Sequence, residues 1–370
     1  MKIRKLSYCL MVPIFLSIFA GCDRRPLELY FSPEAQILVK CDWSGFPEVP
    51  TGMTMYFFKD GNTDPKVITT SDVYQTKVSL EAGHYKMYLI NQSPNEFGSF
   101  SFKGMDAYTT TGSYLTSITS QWYATKTDTS IIGHDPENLG VAIADEFDIT
   151  PELVEQYQAI YTRYKEHIYS KTESGSEDED YQAELDKLTK EVDVIAYNVV
   201  SQLNIKVYVN NIYNLRSARA SLTGMAGGYF LTKSATTDGT ATQLMETWSK
   251  TIKDSDATKG YIETSITTLG LPGGILTTDG RDASLNLLSL SLLLVDNSTI
   301  KNYEFNEGNN IKIERGANGI KLELNIVIGT QDNPLIVLPD VNPDPDSQSG
   351  GGFSAKVDDW GEEINVPIDL

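Results

Sequence analysis

The residues that most often carry chemistry are few and scattered. Three histidines occur, His84, His134 and His167, and none has a second histidine one helical turn away, as a zinc site built on a helix would need. His84 sits beside the turn glycine Gly83 and His167 falls within a helical pattern, so both read as ordinary exposed or satisfied side chains. The glycine spacing of a phosphate-cradling loop or a nucleophile elbow does not occur. Carboxylates are too abundant, at 50 Asp and Glu, for spacing to single out a pair that would flank a glycosidic bond. Asp340-x-Asn342-x-Asp344-x-Asp346 places oxygen ligands at alternate positions, like the first half of a calcium loop. Pro345 stands where that loop needs glycine, however, and Gly351 where it needs a bidentate glutamate, so the stretch reads as a Pro/Asp linker. The expectation is a chain that is not an enzyme and uses no metal or cofactor.

Aromatic side chains offer a different chemistry, stacking on sugar rings. Four tryptophans, Trp43, Trp122, Trp248 and Trp360, accompany 20 tyrosines, a count that the cores of β-sandwiches also produce. Trp43 shares the apolar face of a strand pattern with Cys41 and is core by pattern. Trp122, within Ser120-Gln121-Trp122-Tyr123, is the exposed candidate for glycan contact.

The N-terminus carries a chemistry of its own. Lys2, Arg4 and Lys5 precede an apolar run over residues 10–20, the charge and length of a secretory signal and too short to span a bilayer. Phe19-Ala20-Gly21-Cys22 resembles the lipobox of bacterial lipoproteins, with Phe19 in place of the usual Leu. The resemblance implies cleavage before Cys22, lipid on its thiol and attachment to the cell outer membrane, with several acyl chains giving a stable anchor. Of three cysteines, Cys9 leaves with the signal and Cys22 is acylated, which leaves Cys41 and no disulfide within the chain. Cys41 alternates with Ile37, Val39 and Trp43, so it reads as a buried, inert thiol. Formal net charge is −20, and loss of Lys2, Arg4 and Lys5 takes it from −20 to −23. Such acidity disfavours nucleic acid as a partner and keeps the folded part away from anionic headgroups.

Residues 27–150 alternate in short runs (37–43, 53–58, 78–80, 85–90) separated by turn residues such as Asp60-Gly61-Asn62. This predicts an N-terminal β-sandwich. Thr150-Pro151 reads as an N-cap with proline at the first helical position, and Leu153, Tyr157, Ile160, Tyr161, Tyr164 and Ile168 form one apolar helical stripe. The acidic run 173–180 reads as a loop, so residues 151–191 become a helix plus acidic loop. Residues 192–330 predict a second β-sandwich, whose clearest strands are 205–209, 288–294 and 320–328, with a hairpin turn at Arg315-Gly316-Ala317-Asn318-Gly319. Residues 331–352 form a Pro/Asp/Gly linker. In the last segment, 353–370, Ile364, Val366, Ile368 and Leu370 alternate with polar residues and proline, a pattern suited to an edge strand that completes its own domain or is donated to a neighbour.

Several stretches together resemble a family of Bacteroidetes lipoproteins classed as a domain of unknown function, itself similar to the fimbrillin superfamily of type V pilus subunits and accessory proteins. They are Leu27-Glu28-Leu29-Tyr30, residues 39–43 with Pro50-Thr51-Gly52-Met53-Thr54, residues 80–91, Asn95-Glu96-Phe97-Gly98, residues 218–230 and the Trp360 segment. The resemblance implies a mainly β chain with two tandem Greek-key, transthyretin-like β-sandwiches, a lipidated precursor, partners in a pilus or adhesin assembly, and no catalytic residues. Fimbrillin precursors are commonly cut by an arginine-specific protease between anchor and second domain. Here Arg24 and Arg25 are the only arginines between Cys22 and Arg163, and a cut there removes the anchor but hardly any strand. An anchor, tip or stand-alone adhesin role fits this better than a shaft subunit; the alternative is a surface glycan-binding lipoprotein.

Overall fold

The computed structural model describes residues 33–116, 130–170, 176–274, 286–306, 314–315 and 323–344. The fold is mainly β, with several sheets and two helices among the described residues.

The first sheet runs in the order β3 (Lys66–Thr70), β2 (Met53–Lys59), β5 (Gly83–Ile90), β9 (Gly140–Ile149), β10 (Lys190–Asn198), β1 (Glu34–Gly45) and β4 (Gln75–Glu81). Six of these strands send alternate side chains into one core: Ile37, Val39 and Trp43 of β1 meet Met55 and Phe57 of β2, Leu80 of β4, Met87 of β5, Ile149 of β9 and Val194 of β10. A single sheet supplies nearly every wall of that core, so it must curl. Its two margins approach at Lys66, whose Nζ donates to the Ser79 carbonyl at 2.6 Å and pairs with Glu34 at 2.8 Å. The β2 to β3 turn is the expected one, with Gly61 at φ +85 and the Asn62 N–H bonded to the Lys59 carbonyl.

Helix α1 (Pro151–Ser170) begins as expected, the Thr150 hydroxyl accepting the Leu153 N–H at 3.2 Å. Leu153, Tyr157, Ile160, Tyr161 and Tyr164 of the expected stripe pack on the first core together with Val154, whereas Ile168 stands 44% exposed. The acidic run departs from expectation, because α2 (Ser176–Leu188) starts within it. Glu179 and Asp180 lie in its first turns, where negative charge suits the helix dipole. Strand β10 also departs: alternation from residue 192 assigns it to the second region, but it pairs parallel to β1, Val39 opposite Val192. Period two marks a strand and its faces, not the sheet it joins.

Two further sheets face each other to form a second core. One has the order β16 (Ser249–Lys253), β17 (Asp256–Thr268), β11 (Ser201–Asn210), β21 (Glu323–Ile328) and β20 (Glu314–Arg315), with β22 (Ile336–Val337) pairing β11 beyond β21. The other has β19 (Ile300–Asn306), β18 (Leu287–Leu294), β12 (Leu215–Ala226), β15 (Thr240–Met245) and β8 (Ser130–Ile132). Leu203, Ile205 and Val207 from the first of these meet Leu222, Leu288, Leu290 and Leu292 from the second. The antiparallel pairing of β20 and β21 accords with the expected hairpin, whose turn lies outside the described residues.

A small sheet joins the halves, in the order β14 (Ala235–Thr236), β13 (Gly228–Phe230), β7 (Gly112–Leu115) and β6 (Phe100–Lys103). Tyr56 and Tyr88 on the outer face of the first sheet, stacked at 4.7 Å, pack with Phe100, Leu115, Tyr229 and Leu231 in a third core.

Candidate functional site

Two places in the second half are open. The first is a cleft of about 930 Å3 where β16 stops short of the end of β17. Its floor is the solvent side of β17, β11 and β21, since Leu203, Ile205 and Val207 turn inward and leave Gln202, Asn204 and Lys206 outward. Register sets Asn204 opposite both Ser265 and Asn325, and the three are bonded: Asn204 Nδ2 donates to Asn325 Oδ1 at 3.1 Å and accepts at Oδ1 from the Ser265 hydroxyl at 2.8 Å. Gln202 Nε2 donates to Ser265 Oγ at 2.6 Å. One rung along, Lys206 pairs with Glu263 at 3.0 Å, a hydrogen bond that holds the ammonium above its usual range. One rung further lie Tyr208 and Tyr261, ring centroids 5.8 Å apart, with Lys206 Nζ 4.2 Å above the Tyr261 ring.

The cleft wall is the segment after β8, with Gly133, His134 and Asp135, and the segment after β15, with Glu246 and Thr247. His134 Nε2 lies 2.9 Å from the Thr116 hydroxyl and 3.1 Å from the Thr116 carbonyl, and its Nδ1 is buried without a partner among the described residues. Glu137 fixes this segment to the first half by accepting from the Ser99 hydroxyl at 2.5 Å and from the Gly98 and Ser99 N–H groups. Burial pushes its carboxyl up, but those three hydrogen bonds outweigh burial and leave it below the ordinary carboxylate value.

The second place, taken over the described residues, is a sheet margin. Because β17 packs against β15, the opposite ends of both sheet orders, β21 with β22 and β19, lie on the same side of the sandwich. Among the described residues β19 pairs only β18, and β21 beyond Asn325 pairs only β11. Val327, Val337 and Leu335 stand 55%, 58% and 40% exposed there. The chain crosses to this side after β22, the Asp344 N–H bonding the Val295 carbonyl at 3.1 Å beside the β18 to β19 turn.

Cys22, Trp122, and Ile364, Val366, Ile368 and Leu370 all lie outside the described residues. Of the other residues weighed from sequence, Cys41 is buried, and burial lifts its thiol to about 12, with Asp42 adding to the effect. Trp43 is core, its indole donating to the Val73 carbonyl at 2.7 Å. His84 is exposed beside Asp148, and His167 rests against the Tyr181 ring at 5.4 Å. Of the linker carboxylates, Asp346 lies outside the described residues, Asp340 accepts from Tyr213 and Asn214, and Asp344 accepts from Asn297. Among the described residues no group of three His, Cys, Asp or Glu side chains is placed to hold a metal ion. No helix among them is long and apolar enough to cross a membrane.

The cleft residues were not singled out from sequence. Lys206 and Asn325 are polar alternates of strands 205–209 and 320–328, Asn204 lies just before the first, and Ser265 lies on a strand outside those patterns; alternation does not tell which strands become neighbours.

This chain belongs to the family described as a domain of unknown function, DUF5119, whose model matches residues 21–246. The resemblance drawn from the sequence motifs is therefore met at the level of the family. In structure it is similar to a candidate adhesin from Bacteroides ovatus, at TM-score 0.51 and 15% identity over 87% of this chain and 98% of that one. More distant likenesses are the fimbrial anchor protein Mfa2 of Porphyromonas gingivalis (TM-score 0.38, 13% identity, 70% and 78% of the two chains) and the tip fimbrial protein Mfa3 of the same organism (0.34, 12%, 78% and 83%). No curated protein matches the sequence.

Proposed function

We propose that this chain is a non-catalytic lipoprotein of the cell outer membrane, held by lipid on Cys22, with an adhesion or pilus-accessory role as an anchor or tip. Its protein contacts are made by β-strand pairing at the margin of the second sandwich. The observation that carries this reading is that margin: two neighbouring sheet edges, β19 and the β21/β22 line, left without a described partner and flanked by exposed Val327, Val337 and Leu335. An unpaired edge is a template for a further strand. Ile364, Val366, Ile368 and Leu370 supply a strand pattern with one apolar face, within the same chain or for a neighbour. The fold shared with a candidate adhesin supports the same reading.

Deleting residues 364–370 from the full-length chain tests it. The expected outcome is loss of cross-linking to envelope partners in cells, with the protein still in the membrane fraction, from which Cys22→Ala releases it. Cross-linking that survives the deletion overturns strand pairing as the mode of contact. A lowered melting temperature in an otherwise normal monomer identifies residues 364–370 as the last strand of their own domain.

A further inference from the structure

The floor of the cleft runs from β17 across β11 to β21, where Val327 lines it as well as flanking the margin, and its chemistry points to a ligand other than an added strand. At the centre of its floor lie uncharged amides and a hydroxyl, Asn204, Asn325 and Ser265, bonded to one another, with the Lys206–Glu263 pair and Val327 beside them. Each primary amide has two N–H donors and a carbonyl oxygen with two lone pairs, so the ladder leaves donors and acceptors free on its solvent side. A surface that both donates and accepts at adjacent positions suits a ligand that does the same, as a row of sugar hydroxyls does. Charge narrows the class. Asp135, Glu246 and Glu263 face the cleft against one lysine, Lys206, and that lysine is already paired with Glu263. Phosphate, sulfate and uronate groups are therefore disfavoured.

Shape and neighbouring groups agree. A volume of about 930 Å3 lies near the top of the range for small-ligand sites, about 300–1,000 Å3, which suits an oligomer. Beyond the Lys206–Glu263 rung, Tyr208 and Tyr261 continue the same face just outside the cleft; the Lys206 ammonium lies over the Tyr261 ring, and the partly exposed Tyr208 ring offers an apolar surface for the C–H side of a pyranose. An added peptide strand fits less well, because the chain already lies along this end of β17. The Thr264 hydroxyl donates to the Thr247 carbonyl at 2.7 Å and the Thr267 hydroxyl to the Pro136 carbonyl at 2.8 Å.

We propose that this cleft binds a segment of neutral polysaccharide, with Asn204, Ser265 and Asn325 bonding its hydroxyls and Tyr208 flanking a ring that extends beyond it.

The test is electrophoresis of the full-length chain, in neutral detergent, through gels containing yeast mannan, xylan or laminarin, with chondroitin sulfate as the anionic comparison. The expected result is retardation by at least one neutral polymer. The double substitution Asn204→Ala with Asn325→Ala weakens it about tenfold or more, a change of about 1.4 kcal/mol, with the melting temperature unchanged. Ser265→Trp, which fills the cleft from an exposed position, gives the same loss and covers the case in which the double variant fails to fold. Deleting residues 364–370 leaves retardation intact, which separates this inference from strand pairing. Retardation by chondroitin sulfate alone, or by none of the polymers, overturns the proposal. So does retardation that both sets of substitutions leave untouched, above all if Trp122→Ala then abolishes it.

Discussion

The two halves of this chain solve the same problem, covering apolar strand faces, in opposite ways. In the first, one sheet curls around sulfur and aromatic side chains such as Met53, Met55, Met87, Phe57 and Tyr85, and helix α1 adds its apolar stripe. In the second, two sheets face each other across aliphatic side chains, Leu288, Leu290, Leu292, Ile205 and Ile326. A curled sheet brings its own margins together, as β3 and β4 meet at Lys66. A sandwich of two open sheets cannot do that, and it leaves edges and a cleft. Among the described residues the large cleft thus falls in the half built of two sheets, whereas the first sheet, itself unpaired between β3 and β4, is bridged there by Lys66, and the binding proposed for the second half makes the first its support.

That division of labour requires the halves to be mechanically one piece, which the third core provides. Tyr88 is fully buried there, packed on the far side of the first sheet from Met87 and Leu89 and against residues of the second half. Tyr88→Ala should cost about 3–5 kcal/mol, the range for removing a buried aromatic ring. Calorimetry should show both halves losing stability together in one transition. Two separated transitions, with the second half unmoved, would break the picture of a support rigidly joined to a binding half.

Much of this was legible in the sequence, because alternation and capping are local. The strands at 37–43, 85–90, 205–209 and 288–294, the Thr150 cap and the burial of Cys41 and Trp43 all follow from neighbours within a few residues. What was not legible depends on long-range pairing. Nothing local tells that β10 lies beside β1, that β8 pairs with β15, or that Phe100 and Tyr229 meet in a junction core. The second helix was missed because an acidic run reads as solvated loop unless its position at a helix start is known. The polar ladder of the cleft was hidden for the first reason, since Asn204 and Asn325 are 121 positions apart.

A smaller effect should come from the clasp between the halves at Glu137. Its carboxyl is held below the ordinary value of about 4.3 by hydrogen bonds from Ser99 and Gly98 that prevail over burial. A depressed carboxyl contributes stability that is fully present above its unfolded value and is lost as pH falls through the lower, folded one. Glu137→Gln should therefore cost about 1 kcal/mol at neutral pH, a modest figure because the group is exposed and screened. The gap to the parent protein should narrow as pH falls below the ordinary value of about 4.3 and on through the lower, folded one. Paired urea titrations at pH 7 and pH 3.5 measure this; a gap of the same size at both would remove Glu137 as a charged clasp.

The smallest effect is expected at Lys66, and it bears most directly on the contrast between closed and open margins. Its ammonium spans the place where β3 and β4 approach, bonded to the Ser79 carbonyl and to Glu34, with the lysine side chain 39% exposed. Exposed pairs of this kind contribute about 0.2–1 kcal/mol, and the Ser79 carbonyl regains water when the lysine is cut back. Lys66→Ala should lower the melting temperature by no more than a few degrees. If the curl of the sheet is what closes this margin, the variant stays monomeric in sedimentation velocity, because the curl is set by Met55, Phe57 and Leu80 packing inside. Lysine on a strand edge also guards against pairing with another chain, so the other outcome is informative. Should Lys66→Ala associate through β3 or β4, closure of the first sheet is owed to one charged side chain, and the two halves differ in how an edge is guarded but not in whether they have one.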